Sequence, residues 1–188
     1  MNKNKHIIVI VGLIILGILI FFLTSEITVD VAVSETEETG ETRDPMDESS
    51  LVLFNTGKGL TLKMSPDVEE HKNGDHSVYY FSEECMVSVK MVGFEELEEE
   101  GTGNADTTLE EYIKIVESNN EDITFTEDDY GNPSVIYSAE KDKERFTYYS
   151  TVRKGSEAFW LINFSCMEED QDKMLPQFEL WGSTITVK

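Results

Sequence analysis

The chain has 188 residues, with 38 Asp and Glu against 15 Lys and Arg, for a formal charge of −23. Phosphate binding needs a basic stripe, so this balance excludes nucleic acid as a partner. It also disfavours close docking on anionic lipid headgroups. The acidity suits either a basic partner or divalent cations, or simply a soluble, self-repelling surface.

Lys3 and Lys5 precede an uncharged apolar run over residues 7–23, broken only by Gly12 and Gly17. As a helix the run spans roughly 26 Å at about 1.5 Å per residue. That is the short end of what crosses a hydrocarbon core about 30 Å thick. The run has no polar stripe, which a helix buried in a soluble core would show. The two lysines put the amino terminus, residues 1–6, in the cytoplasm and everything after Leu23 outside it. The apolar core is longer than that of a cleaved signal, and the small-residue sites after it are weak. The expectation is therefore a single-pass cell-membrane anchor; the alternative is a protein secreted after cleavage. With no cysteine near the run, lipid anchoring is excluded.

Residues 24–50 carry nine acids, from Glu26 to Glu48, against Arg43 alone. Such a segment buries too little apolar area to offset its ordering entropy, and like charges stretch it. It reads as an acidic flexible stalk. Residues 51–188 then form one extracytoplasmic domain of ordinary size.

The domain opens on apolar stretches at 51–55 and 60–64, joined by Thr56-Gly57-Lys58-Gly59, a hairpin signal. Ser65-Pro66 ends the second strand. Strands follow at 77–81 and 85–92, and in the latter Cys85, Val87, Val89 and Met91 share a face. Residues 95–106 read as an acidic connection, and the charge run 95–100 as a solvated loop or helix end. Thr108-Leu109-Glu110-Glu111 is a capping box, Thr108 the N-cap and Glu111 at N3. The helix it starts buries Leu109, Tyr112, Ile113 and Val116 and ends near residues 118–120.

Two strands, 123–126 and 134–139, flank a turn at 128–133. A hairpin joins 145–152 to 157–165 across Arg153-Lys154-Gly155-Ser156. In its second strand Ala158, Trp160, Ile162 and Phe164 line one face and Phe159 and Leu161 the other, so both faces are covered and the strand is central. A second helix fits 171–181, with a late start because Pro176 is tolerated only in a first turn, and with Gly182 as its stop. Residues 183–187 make a last strand.

The order of these elements resembles a known group. An opening hairpin runs into Gly59-Leu60-Thr61-Leu62-Lys63-Met64-Ser65-Pro66, a mid-chain helix begins Thr108-Leu109-Glu110-Glu111-Tyr112, and antiparallel strands follow. A helix around Phe178 then leads to Ser183-Thr184-Ile185-Thr186-Val187. The pattern looks like the PsbP-like domain, a group that includes a Ran-binding nuclear import factor and bacterial envelope lipoproteins of the DcrB type. The resemblance implies an α+β fold, a mostly antiparallel sheet with helices packed on its faces (an α/β/α sandwich), here behind one N-terminal transmembrane helix. It also implies a bacterial cell-envelope protein that binds or assembles with others. No functional residue transfers, because the group shares no active-site motif.

Candidate chemistry is sparse. Glu127, Asp128, Asp129 and Asn132 form the best oxygen cluster, but calcium wants six to eight oxygens and the EF-hand spacing is absent. His71 and His76 lie in a polar loop, too few for a zinc site. No Gly-x-Ser-x-Gly elbow or phosphate loop occurs. The set Tyr79, Tyr80, Phe81, Tyr148, Tyr149, Phe159 and Trp160 reads as core and cross-strand packing, with a ligand groove as the other reading. Cys85 and Cys166 are either one bridge, worth roughly 3–5 kcal/mol in the chain-entropy model, or two buried thiols. The expectation is a membrane-anchored, extracytoplasmic, non-catalytic binding or assembly module, with no cofactor and with a protein partner that the residues do not name. The alternatives are a calcium-binding sensor domain and a hydrolase.

Overall fold

The computed structural model describes residues 48–72, 77–120, 122–141 and 143–188. The apolar run, the stalk as far as residue 47, and His76 lie outside the described residues. Glu48–Ser50, expected as the end of the stalk, is instead a 3-10 turn, and Glu48 accepts from the ammonium of Lys63 at 2.8 Å. No helix of the described residues is long and apolar enough to cross a membrane.

Two antiparallel sheets form. The smaller pairs β1 (Val52–Asn55), β2 (Leu60–Met64) and β10 (Thr186–Val187) in the order β1-β2-β10. The larger joins β3 (Glu69–Lys72), β4 (Ser77–Phe81), β5 (Cys85–Gly93), β6 (Thr126–Glu127), β7 (Pro133–Lys141), β8 (Glu144–Lys154) and β9 (Ala158–Met167). Its order is β3-β4-β5-β9-β8-β7-β6, so β9 is the middle strand, as its two apolar faces predict. Among the described residues three α-helices accompany the sheets: α1 (Phe94–Glu100), α2 (Leu109–Ser118) and α3 (Gln171–Ser183).

Period-two alternation sorts β5, β8 and β9 into two cores. Val87 and Val89 pair in register with Phe164 and Ile162, and Tyr149 pairs with Phe164 from the other side. These side chains meet Leu60, Leu62 and Met64 of β2 and Met174, Phe178 and Trp181 of α3 in one buried cluster. On the opposite face Val92, Phe159, Leu161 and Val152 meet Phe94 and Leu97 of α1 and Tyr112 and Val116 of α2. Tyr112 lies flat on Phe159, ring centroids 4.0 Å apart. The result is an α+β fold whose main sheet is covered on both sides, by α1 and α2 on one and by α3 with the small sheet on the other.

The capping box forms as read: Glu111 N–H donates to Thr108 Oγ1 at 3.2 Å and Thr108 N–H donates to Glu111 Oε2 at 2.8 Å. Several expectations are corrected. The acidic run after Gly93 is a helix, because Phe94 and Leu97 are spaced to bury on one face, and Gly101 closes it at φ 69°. His71 lies in a strand, β3, whose polar sequence hid it; β4 templates it, and the His71 ring meets Phe81 edge-on at 5.3 Å. Only Thr126 and Glu127 pair in the stretch expected as a strand from 123. The last strand is likewise short, since α3 absorbs Ser183. Pro176 sits inside α3 rather than in its first turn, and packing of Met174 and Phe178 on either side of it holds the helix regular. Gly182 does not stop that helix. It is buried within the last turn, for a reason that defines the site below.

Candidate functional site

Gly182 is where α3 comes closest to the main sheet. A Cβ built there would lie 2.9 Å from Tyr149 Oη and 3.2 Å from Tyr149 Cε1. Only glycine lets the helix settle over the Tyr149 ring, which is fully buried. Arg153 of β8 fixes the same turn by donating to the Gly182 carbonyl at 3.0 Å, a cation on the negative end of the helix. Burial lowers the Arg153 pKa, and Tyr149 and Asp128 act in the opposite sense.

With the ring so placed, Tyr149 Oη donates to Asp128 Oδ2 at 2.6 Å. Asp128 belongs to the turn between β6 and β7. Its Oδ1 also accepts from the backbone N–H of Tyr130 at 2.9 Å and of Asn132 at 2.8 Å, and the Asn132 amide donates to both oxygens at 3.3 Å. Partial burial pushes the Asp128 carboxyl up, but these hydrogen bonds outweigh it and hold the group below the ordinary carboxylate range. The same bond, with burial as the larger cause, pushes the Tyr149 phenol up.

This scaffold shapes a trough between the sheet edge and α3. It encloses about 350 Å³ and is lined by Thr124, Thr126, Ser134, Val135, Ile136 and four acids: Glu127, Asp128, Asp129 and Glu179. Ser134 and Ile136 share the face of β7 that α3 flanks, since they pair with Thr151 and Tyr149. Ile136 is 49% exposed, and Tyr130, in the same turn as the acids, is 47% exposed. Burial first, then Asp129 and Asp128, raise the Glu179 pKa. Among the described residues no basic side chain lines the trough.

The structure thus places Glu127, Asp128 and Asp129 at one site, with Asn132 bracing it through Asp128. The Asp128 carboxylate offers about four lone-pair sites, and the donors from Tyr149, Tyr130 and Asn132 already engage them. Among the described residues no group of three or more His, Cys, Asp or Glu is arranged to hold a metal ion.

The other candidates divide. Tyr80, Tyr149, Phe159 and Trp160 are core. Tyr79 and Phe81 stack with centroids 6.5 Å apart, and Tyr148 stacks on Tyr137 at 4.9 Å, on the face of the sheet that α1 and α2 cover but outside the cluster beneath them. Cys85 and Cys166 are buried free thiols directly opposite each other in the β5–β9 register.

Sequence reasoning missed Glu179 and Ile136. Glu179 lies inside the helix expected over 171–181, where nothing local distinguishes it from a solvated acid. Gly182 carried the only local signal that the helix approaches something closely, and a helix stop explains a glycine there just as well.

No protein-family model matches the chain, and no curated protein is similar to it. Solved structures do resemble it in fold. A crystal structure from Bacteroides thetaiotaomicron VPI-5482 superposes with a TM-score of 0.51 at 10% identity, over 69% of this chain and 45% of that one. This chain therefore spans less than half the length of that structure. The solution structure of the cyanobacterial PsbP protein CyanoP from Synechocystis sp. PCC 6803 gives 0.46 at 12% identity, over 83% of this chain and 99% of that one. A Mog1 mutant gives 0.46 at 11% identity, over 73% and 95%. One of these structures is by name a PsbP protein, from the group whose order of elements the sequence resembles. At these identities the likeness is one of fold.

Proposed function

We propose that the chain is a non-catalytic binding or assembly module, tethered to the cell membrane by residues 7–23, that engages a basic segment of a partner protein through the trough beside α3. The carrying observation is the union, in one depression of about 350 Å³, of four carboxylates with the exposed side chain of Ile136. Interfaces combine an apolar anchor with a polar rim. Here Ile136 and Tyr130 are the apolar groups, and Glu127, Asp129 and Glu179 are the rim. A Lys or Arg of the partner, placed beside an apolar residue, satisfies both.

Each exposed charge pair contributes only about 0.2–1 kcal/mol. The field of a chain at −23 adds chiefly to the encounter rate and to discrimination against acidic competitors. Lys3, Lys5 and the uncharged run support the tether, and the acidic stalk supports a domain held away from an anionic bilayer. The lining residues are acidic, hydroxyl-bearing and aliphatic, a set that suits a cationic group carried beside an apolar one.

The test is site-specific photo-crosslinking of the full chain in its own cells, with the reactive residue at position 136 and, as a control, at Leu53 of β1, which is 67% exposed. The expected result is a discrete adduct from position 136 that disappears when Asp129→Lys and Glu179→Lys are combined. Equal adducts from positions 53 and 136, or an adduct indifferent to the charge reversal, overturn the reading.

A further inference from the structure

Cys85 and Cys166 are the only two cysteines of the chain. With eighty residues between them in sequence, they are register partners in the antiparallel β5–β9 pair, with side chains on the same face. Opposed residues in such a ladder have Cα atoms about 4.5–5.5 Å apart. Bridged cysteines need roughly 4.4–6.8 Å, so the ladder holds this pair within bridging range without backbone movement. The flanking residues fix the position further. Ser82 Oγ lies 3.4 Å from Cys85 Sγ in the β4–β5 turn, and Cys166 directly precedes the passage into α3.

We propose that the two thiols close into a structural disulfide when the chain folds in an oxidising compartment. The bridge ties β5 to the end of β9, the strand from which the chain passes through a 3-10 turn into α3, the helix that forms one wall of the trough. The co-reactant is a disulfide donor, either a small oxidised thiol or an oxidoreductase. One thiolate attacks the donor, giving a mixed disulfide and releasing one donor thiol. The other thiolate attacks the mixed disulfide, forms the Cys85–Cys166 bond and releases the second donor thiol. The two cysteines lose two electrons and two protons in all, and the donor gains them.

The timing follows from burial. Cys85 is 7% exposed and Cys166 3% exposed. Burial, the larger cause for each, pushes both thiols up to about 11. Thiolate is the attacking species, so the folded dithiol reacts slowly with a donor. The bond therefore forms while β5 and β9 are pairing, and the finished fold shields it from reductants. It is a staple rather than a fast switch.

The experiment refolds the full chain in detergent micelles with and without oxidised glutathione, then alkylates it in denaturant and measures intact mass. Oxidative refolding is expected to give a monomer lighter by about 2 Da that takes up no alkylating agent, while the control takes up two equivalents. Closing a loop of this length is expected to raise Tm by roughly 10 °C. The Cys85→Ala/Cys166→Ala variant is the folding control; it should match the reduced protein in Tm and ignore glutathione. Alkylatable thiols after oxidative refolding, glutathione adducts or linked dimers in place of the internal bond, or a bridge that lowers Tm, each overturn the proposal.

Discussion

Replacing Gly182 with alanine separates two accounts of that glycine. In a helix interior Gly→Ala ordinarily stabilises by about 1 kcal/mol. Here the added methyl carbon would meet Tyr149 Oη at 2.9 Å, Cε1 at 3.2 Å and Cζ at 3.4 Å. A phenol tip can usually swing aside. This one is fully buried, packed beside Phe164 with centroids 5.7 Å apart and bonded to Asp128. Moving it costs about 1–3 kcal/mol as overpacking. It also strains a hydrogen bond to a charged group worth about 1.5–3 kcal/mol. After subtracting the propensity gain, G182A should lose about 2 kcal/mol of stability. The assay is equilibrium urea unfolding of the full chain in micelles, followed by tryptophan fluorescence, which Trp181 makes sensitive to this turn. The midpoint should fall with little change in slope. In a Y149F background the closest contact is gone, so adding G182A should cost at least about 1 kcal/mol less than in the parent. An alanine variant as stable as the parent, or a strictly additive double variant, would refute the argument that close approach, and not helix termination, selects this glycine.

Three further outcomes follow from the same structure. Asp128→Asn removes the charge that organises the turn and places an amide against backbone donors, which should cost about 1.5–3 kcal/mol. Because the Asp128 pKa is depressed in the fold, its contribution is present above the ordinary carboxylate pKa and is lost as pH falls through the lower folded value. The gap between parent and D128N should therefore narrow in acid, which unfolding at a series of pH values reads directly. Glu179 has the opposite sign: its raised pKa means that its charge costs stability above the folded value and the cost is relieved in acid. Glu179→Gln should raise Tm at neutral pH while weakening adduct formation at position 136. Thr108→Ala removes one side of the capping box and should cost about 1 kcal/mol, measured by the same unfolding assay.

Much of the fold was legible in the sequence where the signal is local. The β1–β2 turn, the capping box at Thr108, the β8–β9 hairpin and the central place of β9 follow from turn chemistry and from periods of two and 3.6. Hairpin partners adjacent in sequence need no knowledge of the rest of the chain. The misread elements are those whose neighbours overrule their own composition. β3 is Glu-Glu-His-Lys and becomes a strand because β4 offers it a ladder. α1 is five-sevenths acidic and becomes a helix because two apolar residues, Phe94 and Leu97, find the core under Val92 and Phe159.

By itself the sequence determined the acidic balance, the apolar run behind two lysines, the two apolar faces that make β9 a central strand, and the likeness to the PsbP-like arrangement. These are properties of residue type and near-neighbour spacing. Only the tertiary structure decided that Glu179 stands across a trough from Asp128 and Asp129, that Gly182 exists to admit Tyr149, and that Cys85 faces Cys166. Each of those meetings joins residues that are distant in the chain, and each depends on strand order, register and the depth to which a helix settles. Those quantities are set by how the buried faces of β9, β8 and α3 fill one another, a condition on the whole core that no short stretch of the chain carries.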